Sequence, residues 1–135
     1  MNAPTAVLDA SALLAWLREE RGAIAAEDAL DKVAVMSVLN WAEVLTKLAD
    51  LGHSPDAVRL RLVRQGVLGS ALLLWPLDEA MALEVAKLRA NTRSGGLSLG
   101  DRACIALGQH LRLPVLTTDR AWKALRLGVQ IQVIR

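Results

Sequence analysis

Four carboxylates in this chain of 135 residues share one kind of setting. Asp9 closes the apolar run "AVLD", and Asp119 closes "VLTTD". Glu43 follows a second apolar run, in "SVLNWAEVL", and Asp101 lies in "LSLGDRACIAL". An unpaired charge is costly to bury, so an acid at the end of a buried strand must be solvated, paired or bound. Helix capping explains each acid taken singly. Asn40 with Glu43 and Ser98 with Asp101 both have capping-box spacing, placing Glu43 and Asp101 in the first turn of a helix. Asp9 and Asp119 can cap the helices they precede.

Taken together, the four point elsewhere. In a parallel α/β sheet the C-terminal ends of the strands lie along one edge, and the following helices begin there. All four acids then converge on that edge, where ligands of such folds bind. Carboxylates meeting in one crevice repel each other, and each has a raised pKa unless a cation compensates. Oxygen ligands without Cys or His suit a hard cation, Mg²⁺ or Mn²⁺, rather than zinc. Such a site activates water and neutralises charge on a phosphodiester. The expected chemistry is metal-dependent phosphodiester hydrolysis.

The elements that must position these acids alternate between two hydrophobic periods. "AVLD" reads as a buried strand, followed by helical spacing from Ser11 to Arg18 and from Ile24 to Leu30. "VAVMS" (Val33 to Ser37) is a second strand, and Asn40 to Leu51 a helix that Gly52 ends. A helix from Pro55 to about Gln65 precedes a third strand in "ALLLWPL", with Pro76 at its end. Asp78 to Asn91 is helical, "RSGG" breaks it, and Ser98 to Leu111 is helical again. "PVLTTD" is a fourth strand, Ala121 to Leu125 a short helix, and "VQIQVI" a last strand. Strands separated by helices imply parallel pairing and a sheet covered on both faces. The expected fold is a three-layer α/β/α domain with a central parallel sheet of about five strands, spanning residues 1–135 as one domain.

Composition narrows the class. Hydrophobic residues are 53% of the chain and charged residues 22%, which suits a packed globular protein. Net charge is only +2, but twelve of the sixteen basic residues are arginine, the residue suited to phosphate and carboxylate pairing. Phe and Tyr are absent and there are four Trp, so a sheet of stacking aromatics that binds single strands is not expected. The one cysteine, Cys104, reads as a small core residue and fits a reducing compartment. His53 and His110 have no metal-ligand spacing. With no basic-then-apolar leader and no membrane-spanning run, a cytoplasmic location is expected.

Four stretches, "VLDASALLAWL", "SVLNWAEVLTKL", "LSLGDRACIALG" and "LPVLTTDRAW", resemble the PIN-domain ribonucleases, most closely the VapC-type toxins of bacterial toxin–antitoxin pairs. The resemblance covers essentially the whole chain, and its specificity lies in the ordered set. It implies that Asp9, Glu43, Asp101 and Asp119 match the acidic quartet that holds one or two Mg²⁺ or Mn²⁺ ions. Ser11 and Thr117 fall where members carry hydroxyls near the site, and Asn40 where a small polar residue contacts it. The plainer reading makes Ser11 and Asn40 helix caps and Thr117 an ordinary strand residue. The resemblance further implies an RNA substrate, a homodimer, and a VapB-like antitoxin that points an arginine into the acidic pocket. Arg102, beside Asp101, reads as a phosphate contact or, more plainly, as a solvated helix-surface arginine.

Two other classes compete. An aspartyl-phosphate phosphatase also keeps an Asp at the end of its first strand, but needs a second Asp two residues on, where this chain has Ser11. A non-catalytic α/β interaction module would use all four acids as caps.

Overall fold

The computed structural model describes residues 2–92 and 96–135. The strands are β1 (Ala6–Leu8), β2 (Ala34–Ser37), β3 (Leu72–Trp75), β4 (Val115–Thr117) and β5 (Ile131–Val133). The helices are α1 (Ala10–Leu17), α2 (Ala23–Asp31), α3 (Val38–Asp50), α4 (Pro55–Arg64), α5 (Glu79–Thr92) and α6 (Leu99–Leu111), with a 3-10 helix at Arg120–Ala124. The strands form one sheet in the order β3-β2-β1-β4-β5, every neighbouring pair parallel. This is the expected three-layer α/β/α architecture.

Strands of three or four residues hold their place because their side chains feed two cores at once. Successive side chains leave a strand on opposite faces. Leu8, Met36 and Leu116 therefore pack with α1 to α4 on one face. Val7, Val35 and Val115 pack with α5, α6 and Trp122 on the other. Full burial of such a side chain stabilises by about 1.5–3 kcal/mol, so the unbroken apolar runs that hid the alternation are what the layered fold requires.

Strand order reverses between β1 and β4, since β2 and β3 extend the sheet one way and β5 the other. Asp9 follows β1 and Asp119 follows β4 within two residues, so both acids flank that switch point. The Asp9 N–H donates to the Leu116 carbonyl at 3.1 Å, carrying the parallel pairing up to the site.

Three local expectations change. α3 begins at Val38 rather than Asn40, because the Ser37 hydroxyl takes the cap by accepting from the Leu39 N–H at 3.3 Å. Asn40 is thus neither a cap nor part of a capping box, and Glu43 lies beyond the first turn. β2 starts at Ala34, since Val33 has a left-handed φ of 68° that breaks the strand. The helical turn after β4 is 3-10, starting at Arg120. Arg93 to Gly95, in the "RSGG" break, lie outside the described residues.

Candidate metal centre

Asp9 caps α1, accepting from the Ala12 N–H at 2.8 Å on Oδ1. The Ser11 hydroxyl donates to the same oxygen at 2.7 Å, and the Thr117 hydroxyl donates to Oδ2 at 2.5 Å. Of the three outcomes open to an acid at the end of a buried strand, solvation does not apply, since Asp9 is 6% exposed. The desolvated carboxylate is pushed up to about 6, burial outweighing the three hydrogen bonds that lower it, with the Asp101 charge adding a smaller upward push.

Ser11 and Thr117 do more than their plainer readings allow. Ser11 Oγ also accepts from the Thr118 N–H at 3.0 Å, and Thr117 Oγ1 accepts from the Asp119 N–H at 3.1 Å. Both hydroxyls therefore link Asp9 to the β4 end, fixing the two sides of the switch point together. Asp119 in turn caps the 3-10 helix, its Oδ1 accepting from the Ala121 N–H at 2.9 Å.

Asp101 completes the expected capping box at the start of α6, accepting from the Ser98 N–H at 3.0 Å on Oδ2 while the Ser98 hydroxyl accepts from the Asp101 N–H at 3.1 Å. Glu43 is held by Asn40, whose Nδ2 donates to Glu43 Oε1 at 2.7 Å and to the Gly100 carbonyl at 3.0 Å. Asn40 is thus a clamp between α3 and α6. Arg102 is half-buried, its Nη1 donating to the Val85 carbonyl of α5 at 3.1 Å, so it is not a plainly solvated helix-surface arginine.

One cavity of about 260 Å³ is lined by all four acids together with Ser11, Asn40 and Trp122. Thr117 is not among the lining residues and acts through its bonds to Asp9 and Asp119. Glu43, Asp101 and Asp119 each keep one carboxylate oxygen without a protein donor among the described residues. Asn40 Oδ1 and Trp122 Nε1 are buried polar atoms with no partner there.

This donor set fits a hard divalent cation. It is all oxygen, and the burial cost at Asp9 is what a positive charge would offset. Among the described residues no three His, Cys, Asp or Glu side chains gather closely enough to hold an ion by themselves. A divalent cation held here would complete its coordination with water.

Two residues of the site carried no marked signal in the sequence. A Cβ at Gly100 would collide with the Glu43 carboxylate, so glycine there makes the room that Glu43 occupies. A glycine inside a helix costs about 1 kcal/mol relative to alanine, which is the signal that could have singled it out. Trp122, three residues after Asp119, is 2% exposed and closes the cavity from the 3-10 helix. Cys104 is buried as expected, its thiol pushed up by burial and, to a lesser degree, by the charges of Asp9, Asp101 and Glu43.

The model of the PIN domain family matches residues 6–127. The chain belongs to the PIN domain family. PIN domains are nucleases, and the family generally uses divalent metal ions. Among solved structures, the fold is shared with FitAcB from Neisseria gonorrhoeae at a TM-score of 0.70 and 22% identity, covering 94% of this chain and 96% of that one. A toxin–antitoxin complex from Klebsiella pneumoniae gives 0.69 and 21%, covering 94% and 100%. The Mycobacterium tuberculosis VapC20, a Sarcin-Ricin loop cleaving toxin, gives 0.69 and 13%, covering 93% and 99%. No curated protein matches the chain. Among the described residues, no helix of this PIN domain is long and apolar enough to cross a membrane.

Proposed function

We propose that this PIN domain is a Mg²⁺- or Mn²⁺-dependent endoribonuclease and the toxin of a toxin–antitoxin pair, with Asp9, Glu43, Asp101 and Asp119 as its catalytic carboxylates. The observation that carries the proposal is the single cavity lined by all four acids at the switch point of the sheet. A divalent cation bound among them supplies Lewis acidity toward a phosphoryl oxygen and lowers the pKa of water.

The chain's own residues supply the rest. Asp9, Glu43, Asp101 and Asp119 would hold the cation, through water where the spacing requires it. The unengaged oxygens of Glu43, Asp101 and Asp119 are also free to accept protons from water in the cavity. Asn40 positions Glu43, and Ser11 and Thr117 keep Asp9 oriented toward the cavity. Water attack at phosphorus that breaks the P–O3′ bond, with O3′ leaving and taking up a proton, gives a 5′-phosphate and a 3′-hydroxyl.

The toxin assignment draws on the solved structures of similar fold, which include a toxin–antitoxin complex and a Sarcin-Ricin loop cleaving toxin. A VapB-like antitoxin, a homodimeric assembly and a cytoplasmic location follow from the same reading. A guanidinium from an antitoxin could replace the cation among the carboxylates.

The test is cleavage of cellular RNA with Mg²⁺ or Mn²⁺ and with excess EDTA, followed by mapping of the product ends. Divalent-dependent cleavage with 5′-phosphate ends supports the mechanism. Full activity in EDTA, or 2′,3′-cyclic phosphate ends, overturns it. Growth arrest on expression, relieved by the protein encoded immediately upstream, tests the toxin role.

A further inference from the structure

Asp101, Asp119 and Trp122 line a second cavity as well as the first, a groove of about 770 Å³ between α6 and the chain that follows Asp119. Gln109 of α6 borders it, and its Nε2 donates across to the Leu127 carbonyl at 2.6 Å, tying the groove's two walls together. Leu125, Arg126 and Leu127 belong both to this groove and to a further hollow of about 430 Å³ that includes Lys123. Three concavities thus share lining residues in series: an acidic pocket, a connecting groove and a basic mouth.

The two cations at that mouth are exposed. Arg126 Nη1 donates to the carbonyls of Lys123 and Leu125, both at 3.2 Å, which orients the guanidinium without neutralising it. Neither Arg126 nor Lys123 pairs with a carboxylate among the described residues. Four acids repel a polyanion, so a nuclease of this kind needs positive charge near the pocket to draw the strand in. Arg126 offers a planar fork for a phosphate, and Lys123 a point charge.

We infer that the groove from Asp101 and Asp119 to Arg126 and Lys123 carries one flank of a single-stranded RNA, with each of the two cations holding a phosphate. The inference rests on the ribonuclease reading and adds the path of the strand and its holding residues. Trp122 is the one aromatic lining the groove and is buried, so base stacking contributes little on this flank. Binding there is through the backbone and tolerates any base.

The experiment compares two double variants of the full chain, Arg126→Gln with Lys123→Gln, and Arg59→Gln with Arg64→Gln. The second pair removes the same charge from exposed positions on α4, which packs on the opposite face of the sheet. Each variant is assayed with Mg²⁺ on an unstructured RNA oligonucleotide that the parent cleaves, over a range of salt concentrations. The groove pair should raise KM by about tenfold, as expected for two exposed ion pairs. Its kcat should hold within twofold, and the slope of log KM against log salt should become shallower by about 1.4 for two phosphates lost from a single strand. The α4 pair should leave all three near the parent. Equal losses in both pairs, or an unchanged KM and slope in the groove pair, would overturn the inference while cleavage by the parent leaves the ribonuclease reading intact. A parent that is folded and binds Mg²⁺ but cleaves no RNA would bring down that reading and this inference with it.

Discussion

Gly100 and Gly108 stand two turns apart on α6, and their surroundings differ in kind. A Cβ at Gly100 would run into the carboxylate of Glu43. A Cβ at Gly108 would lie 2.5 Å from Val115 Cγ2 and 3.0 Å from Val129 Cγ2. Each glycine costs the helix about 1 kcal/mol relative to alanine. At the C-terminal end that cost admits the sheet and is offset by packing. At the N-terminal end it admits a charged side chain, and the return is a cavity lined by acids. One helix therefore has a stability end and a chemistry end.

The largest separation between the two ends is expected at the acids themselves. Asp101→Asn should lower RNA cleavage by more than about 100-fold, beyond what losing a group that merely supports a metal ligand costs. Its thermal stability should stay within about 0.5 kcal/mol, because Asn retains the capping oxygen. Asp9→Asn should lose activity equally yet stabilise the protein in EDTA at pH 7.5. Asp9 is held near 6 when folded against a usual 3.8, so its stabilising effect is complete below about pH 4 and is lost as pH rises through 6. The gap corresponds to about 3 kcal/mol, an upper value for the gain on neutralising the group. Unfolding curves at pH 4.5 and 7.5, with and without Mg²⁺, check both the sign and its cancellation by the cation.

Next comes Gly108→Ala, which should destabilise by about 1–3 kcal/mol through overpacking against Val115 while leaving cleavage intact below the unfolding range. A variant that loses activity but no stability would erase the distinction between the ends. Gly100→Ala should do the reverse. Only the far end of the flexible Glu43 must move, so stability should change by less than about 1 kcal/mol, while divalent affinity, read by calorimetry, falls by about tenfold. Thr117→Val should have the smallest effect. It removes a hydrogen bond that lowers the Asp9 pKa, so the acid limb of Mg²⁺ binding by the metal-free protein should move upward from about pH 6. An unmoved limb would exclude Asp9 as the group that sets it.

The fold was legible because its elements carry clear periods, and because parallel pairing follows from helices set between strands. The acids were legible for the same reason, since the ends of strands are easier to locate than the details of helix starts. Asn40 fails as a cap because Ser37, two residues upstream of Leu39, wins it despite the capping-box spacing of Asn-x-x-Glu, yet Asn40 does line the acidic cavity, as the resemblance implied. Its contact with the Gly100 carbonyl joins residues 60 apart, which no local pattern encodes. The plainer reading of Arg102 misled because position on a helix does not tell where a guanidinium reaches, and this one reaches back to α5. The burial of Asp9 leaves no local signal, because it depends on Thr117 and Ser11 meeting the carboxylate once β1 and β4 have paired.

The hydrogen bond from Thr117 to Asp9 spans 108 residues of chain. A polypeptide is made from its N-terminus at about 5–20 residues per second, so Asp9 emerges well before its partner on β4. Until β4 lies beside β1 the four acids are dispersed along the chain, and the cavity that gathers them is a product of the completed sheet.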